Sequence, residues 1–117
     1  MKLDQAYSGN VFICSSENYE SSKAVIYGMP MDYTVSFRPG SRFGPSHIRQ
    51  ASVGLEEYSP YLDKSIVDLE YFDAGDLLLP FGNAARSLKS LANMLVKFLQ
   101  TTSSLWVLVV NIWLHGL

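Results

Sequence analysis

IYGMPMDYTVSFRPGSRFGPSHIRQAS, residues 26–52, reads as strand, loop and helix in succession. Its first residues complete the run KAVIYG, short, apolar, β-branched and closed by Gly28, which predicts a buried strand over residues 24–27. The loop that follows is punctuated by Pro30, Pro39, Gly40 and Gly44. Pro45 then suits the first position of a helix, and Ile48, Ala51 and Leu55 share one helical face, so the spacing predicts a helix over about residues 45–57. A loop leaving the carboxyl end of a strand is where α/β proteins place their ligands.

Outward from this stretch, DLEYFDAGDLLL contains a second strand around residues 70–73. The clearest helix spans residues 83–101. Asn83 is a good N-cap, and Leu88, Leu91, Leu95, Phe98 and Leu99 recur at helical spacing, with Lys89, Asn93, Lys97 and Gln100 on the other faces. The closing run TTSSLWVLVVNIWLHGL predicts a third strand over residues 106–110. Strands alternating with helices imply an α/β fold, a parallel sheet with helices on its faces. Three strands make a small sheet with an exposed edge, the start of a larger three-layer α/β/α domain.

The 117 residues suffice for one small domain and not for two. Net charge is −2, the pI is about 5.5, and no run of like charges occurs, which argues against nucleic acid and against an anionic membrane surface as partners. The single cysteine, Cys14, forms no internal disulfide and suits a reducing compartment, and the first ten residues lack the apolar core of a signal peptide. The expected location is cytoplasmic. Residues 105–114 are apolar but for Asn111, about half of what a membrane-spanning helix needs.

The stretch from Gly28 to Ser52 resembles the amino-terminal signature of the ureohydrolases, the family of arginase, agmatinase and relatives. There a strand ends in a G-x-P-x-D loop, here Gly28 to Asp32, and leads to R-x-G-x-R-x-G-P and an I-R helix, here RPGSRFGP and Ile48-Arg49. DAGD, residues 73–76, matches the family's D-x-G-D at the end of its second strand. The likeness runs from about residue 1 to 102, roughly the first third of a typical member, and is greatest to the bacterial agmatinases. It implies a homo-oligomeric, metal-dependent hydrolase of polyamine metabolism that converts agmatine and water to putrescine and urea with two manganese ions. A guanidinium carbon is a poor electrophile, and two divalent ions sharing a water supply hydroxide at neutral pH. Mn²⁺ takes carboxylate and imidazole ligands, several per ion. The family draws them from G-G-[DE]-H, D-x-H-x-D and D-x-D motifs downstream of the matched region, and this sequence contains none of the three. Its two histidines are His47, expected on the solvent face of the first helix, and His115 in the tail. The expectation is a chain without metal ligands or catalytic residues, inactive on its own. The alternative is a non-enzymatic α/β module that binds an intact homologue through its strand edge.

The residues of the loop carry two readings each. Arg38 and Arg42 flank the Pro39-Gly40 turn and could touch ligand or another subunit. Agmatine is a dication, however, and arginines beside it would repel it, so holding the loop by ion pairs is the favoured role. Asp32 is the better substrate-side candidate, since a carboxylate accepts hydrogen bonds from a guanidinium or ammonium, with loop structuring as its equal alternative. Gly40 and Gly44 serve backbone geometry. Asp73 and Asp76 are read as turn-forming or strand-end residues rather than metal-binding. Cys14 has no neighbouring base in the sequence, and Tyr58 and Tyr61, around Pro60, are expected to pack the loop or a subunit interface.

The tail also has a second reading. Codons that encode residues 106–117, read two bases later, can spell G-L-G-G-E-H-L-V-T-W-P, the first metal motif of the family. The expectation is therefore that residues 1–104 are the ureohydrolase portion and residues 105–117 an out-of-frame tail.

Overall fold

The structure, a computed structural model, describes residues 6–7, 10–33 and 37–101. Strands β1 (Ala6–Tyr7), β2 (Ala24–Gly28) and β5 (Tyr71–Leu77) form one sheet in the order β1-β5-β2, and β3 (Tyr58–Ser59) and β4 (Lys64–Ser65) form a separate antiparallel hairpin. Helix α1 (Gly44–Ser52) connects β2 to β5, and α2 (Ala84–Thr101) follows β5. β2 and β5 run parallel, Ala24 opposite Tyr71 and Ile26 opposite Asp73. The α/β class and the parallel pair stand as the sequence implies. The sheet is nevertheless mixed, because β1 pairs antiparallel with β5. A two-residue strand carries no periodicity from which it could have been read. The strand expected over residues 106–110 lies outside the described residues.

The two helices take opposite faces of the sheet. Side chains alternate along a strand, so Val25, Tyr27 and Ala74 point one way and Ile26 and Asp73 the other. Val25, Tyr27, Ala74 and Leu77 pack with Met94 and Phe98 of α2, and the Tyr27 ring stacks on Phe98 at 5.6 Å. This is the apolar core. Helix α2 begins as predicted, the Asn83 side chain accepting the Arg86 N–H at 2.9 Å. Its buried stripe is rotated from the predicted one. Ser87, Met94 and Phe98 are buried, whereas Leu88 and Leu99 are exposed.

Helix α1 departs further. It ends at Ser52, where turn bonds from Gly54 and Leu55 to the carbonyls of Ala51 and Ser52 replace the helical ladder. The apolar face expected of Ile48, Ala51 and Leu55 is not the buried one: Ala51 and Leu55 are exposed, and the helix buries Pro45, Arg49 and Ser52. His47 is on the solvent side, as read from the sequence.

Candidate functional site

The underside of α1 is polar because it covers a charged strand. Arg49 is 3% exposed and forks onto Asp73, with Nε to Oδ2 and Nη2 to Oδ1 both at 2.8 Å, while Nη1 donates to Asp76 Oδ1 at 2.5 Å. Burial alone would lower the guanidinium pKa; the hydrogen bonds and charges of Asp73 and Asp76 outweigh it and raise it. Asp73 also accepts the Phe12 N–H at 2.7 Å and the Gly75 N–H at 2.9 Å. Ser52 joins the segment before β2 to the same helix, its Oγ accepting the Ile13 N–H and donating to the Arg49 carbonyl.

A bulge makes this cluster possible. Positions 73 and 76, three apart, would face opposite sides of a regular strand. Between the pairs Ile26–Asp73 and Gly28–Asp76, β2 advances two residues and β5 three. The extra residue is absorbed at Gly75, whose φ of +77° is open to glycine and costly to other residues. Both carboxylates then reach Arg49. Gly28 completes the fit, since a Cβ there would fall on Asp76 Oδ1 and stand 2.7 Å from Pro45 Cβ. DAGD therefore lies within a seven-residue strand, with Asp76 one residue from its end as a strand-end reading has it, and does not form a turn after a strand that stops at Asp73.

The cluster braces the carboxyl ends of β2 and β5, from which the loop with the sequence-predicted site residues departs. Asp32 is nearly buried there. Its Oδ2 accepts the Gly40 N–H at 3.0 Å and lies 3.8 Å from Arg42 Nε. Ser41 Oγ donates to the Met31 carbonyl. Gly40, at φ +141°, makes the turn. Asp32, Gly40 and Arg42 thus come together, with the carboxylate engaged in holding the loop. Arg38 stands apart and exposed, over the Phe37 ring. Sequence reasoning missed Arg49, Gly28 and Ser52. The signal for the helix was the i, i+4, i+7 stripe Pro45, Arg49, Ser52, legible only once the strand beneath is known to be acidic.

At the opposite, amino-terminal ends of the strands, an open recess of about 360 Å³ is lined by Phe12, Ala24, Ile26, Ile66, Leu69 and Tyr71. Cys14 Sγ lies 3.6 Å from Glu57 Oε1. Desolvation and then the Glu57 carboxylate push the thiol pKa up, away from the reactive thiolate. Among the described residues no three His, Cys, Asp or Glu side chains are grouped to hold a metal ion. Asp73 has both oxygens engaged and Asp76 is tied to Arg49, whose charge would repel a second cation. These residues do not fit manganese. His115 lies outside the described residues. No described helix is long and apolar enough to cross a membrane.

A sequence model of the Arginase family matches residues 22–109. The agmatinase of Halalkalibacterium halodurans is 66% identical over 99 residues, covering 85% of this chain and 34% of its own length, and that of Bacillus cereus is 63% identical over the same span. The agmatine ureohydrolase structure of Thermoplasma volcanium superposes with a TM-score of 0.79 at 24% identity, over 88% of this chain and 35% of that one. The chain spans about a third of the length of the relatives it matches.

Proposed function

Because the chain belongs to the arginase family, we propose that it supplies the amino-terminal portion of an agmatinase-type ureohydrolase, which hydrolyses the guanidino group of agmatine to urea and putrescine. The observation that carries this reading is the 66% identity to an agmatinase over 99 residues. The geometry is consistent with it. The matched residues form a braced platform, Arg49 with Asp73 and Asp76, that orients a ligand-side loop without contributing reacting groups. Asp32 holds that loop through Gly40 and Arg42. In this reading the manganese that the family uses is bound by residues beyond those described.

It follows that the 117-residue chain neither binds Mn²⁺ tightly nor releases urea from agmatine. Removal of a single group supporting a metal's ligands commonly costs ~10–100-fold in affinity or activity, and among the described residues no three His, Cys, Asp or Glu side chains are grouped to hold the ion at all. A urea-release assay with excess Mn²⁺, run beside a calorimetric titration, tests this. Turnover that survives repurification, or one stoichiometric high-affinity site, would overturn it. The enzymatic reading of the locus is tested separately by the DNA from the codon of Trp106 onward. The second frame is expected to continue into the D-x-H-x-D and D-x-D motifs, and stops in both frames would remove that support.

A further inference from the structure

Residues 65–71, SIVDLEY, build much of the recess at the amino-terminal ends of β2 and β5. Ile66–Asp68 form a single 3-10 turn, opened by Ser65, whose Oγ accepts the Val67 N–H. Side chains three apart stack in such a turn, which sets Leu69 beside Ile66. Ala24 and Ile26 of β2 and the ring of Phe12 complete the apolar lining, and Phe12 meets Tyr71 edge to face with centroids 6.3 Å apart. Backbone bonds hold the shape. The Ile66 N–H donates to the Glu57 carbonyl at 2.7 Å, that of Leu69 to Ile66 at 3.1 Å, and that of Lys23 to Glu70 at 2.7 Å. The recess is thus formed before any ligand arrives, and its volume of about 360 Å³ falls in the range of small-molecule sites. Three charged side chains, Lys23, Asp68 and Glu70, also line it, all of them exposed. The Lys23 ammonium is taken by Glu70 at 2.8 Å. Asp68 has no ion-pair partner among the described residues, so the apolar lining carries one uncompensated negative charge.

We propose that this recess binds a small amphiphilic monocation, a primary ammonium on a hydrocarbon body the size of a phenylethyl group. The body lies against Phe12, Ile26, Ile66 and Leu69, and the ammonium sits at Asp68. Burial of the apolar body supplies the attraction, and the carboxylate supplies the preference for a cation. An anion would meet Asp68 with the one nearby ammonium already paired. A dication such as agmatine would have to desolvate its second charge against an apolar lining that offers it no partner. The recess therefore selects against the substrate of the proposed reaction. It also lies the length of β2, ~16 Å, from the loop at the carboxyl end of that strand, and the site does not rest on the agmatinase reading. For a small ligand in an open recess the dissociation constant is expected to be about 1 mM.

Saturation-transfer NMR on the full chain at micromolar concentration reads out binding, with 2-phenylethylammonium, 2-phenylethanol, phenylacetate and agmatine as probes and circular dichroism confirming that each variant is folded. The ammonium is expected to bind saturably and about threefold tighter than the alcohol, a margin that shrinks at high salt. Phenylacetate and agmatine are expected to bind more weakly than the ammonium. Asp68→Asn should bring the ammonium down to the affinity of the alcohol and leave the alcohol unchanged. Leu69→Ser should weaken both about threefold or more, whereas Leu88→Ser, at an exposed position on α2, should change neither. Four results would each overturn the proposal: no saturable binding, as when the apolar run of residues 105–114 fills the recess instead; phenylacetate binding as tightly as the ammonium; an Asp68→Asn chain that keeps the preference; or Leu88→Ser weakening binding as much as Leu69→Ser.

Discussion

Replacing Arg49 by alanine leaves Asp73 and Asp76 against each other without their cation. Breaking a buried pair costs ~3–5 kcal/mol, so Arg49→Ala is expected to lose most of the chain's stability, read as a collapse of the urea midpoint. Arg49→Lys keeps the charge but loses the fork onto Asp73, and should fall between the two. At Gly28 the overlap with Asp76 Oδ1 and Pro45 makes even alanine an overpacking substitution, expected to cost ~1–3 kcal/mol. Tyr27 and Tyr71 give a pH test. Their hydroxyls are buried with no hydrogen-bond partner among the described residues, and desolvation, aided at Tyr71 by Cys14 and Asp73, raises both from 10.0 to about 12. The folded chain thus holds these protons more tightly than the unfolded one. Their contribution is intact below pH 10 and is lost as pH rises from there towards 12. Tyr27→Phe with Tyr71→Phe should flatten the alkaline limb of a midpoint-against-pH curve, without loss at pH 7.

At the scale of elements, α2 separates buried from merely apolar. Phe98, fully buried, is expected to cost ~3–5 kcal/mol on truncation to alanine. Its neighbour Leu99, 66% exposed, should cost under ~0.5 kcal/mol, and equilibrium unfolding of the pair checks the contrast. Asn83→Ala removes the cap and should cost ~1 kcal/mol. The sequence showed where β2, β5 and α2 lie because their apolar runs are long enough for a period to register. It showed too many leucines on α2, since the helix has a wider apolar arc than the three-stranded sheet beneath it covers. Helix α1 was found but turned the wrong way: its buried face is polar, and a hydrophobic count cannot see an arginine whose partners come 24 and 27 residues later. The bulge at Gly75 hid the cluster by moving Asp76 out of the alternation that marks a strand. Of the loop residues, the pairing of Asp32 with Gly40 and Arg42 was half legible, since loop structuring was one of two readings for Asp32 and Arg42.

For the whole molecule, the exposed Leu88, Val96 and Leu99 of α2, together with the apolar run of residues 105–114, predict poor solubility. Deleting residues 105–117 is expected to raise the soluble yield, measured as the supernatant fraction after expression; an unchanged or lower yield would count against this. The contrast between the two faces of the sheet also has a consequence in time. The α2 face is joined by apolar contacts that gain from partial formation, so it can condense early. The α1 face gains nothing until Arg49, Asp73 and Asp76 are all in place, because a buried charge without its partner is a net loss. Docking of α1 is thus expected to follow the rate-limiting step. Truncating Phe98 should slow folding, with φ-values near 0.5 or above. Substitutions at Ser52 or Arg49 should leave the folding rate unchanged and accelerate unfolding, with φ-values near zero. The arginine that fastens the finished platform is then the last part of it to close.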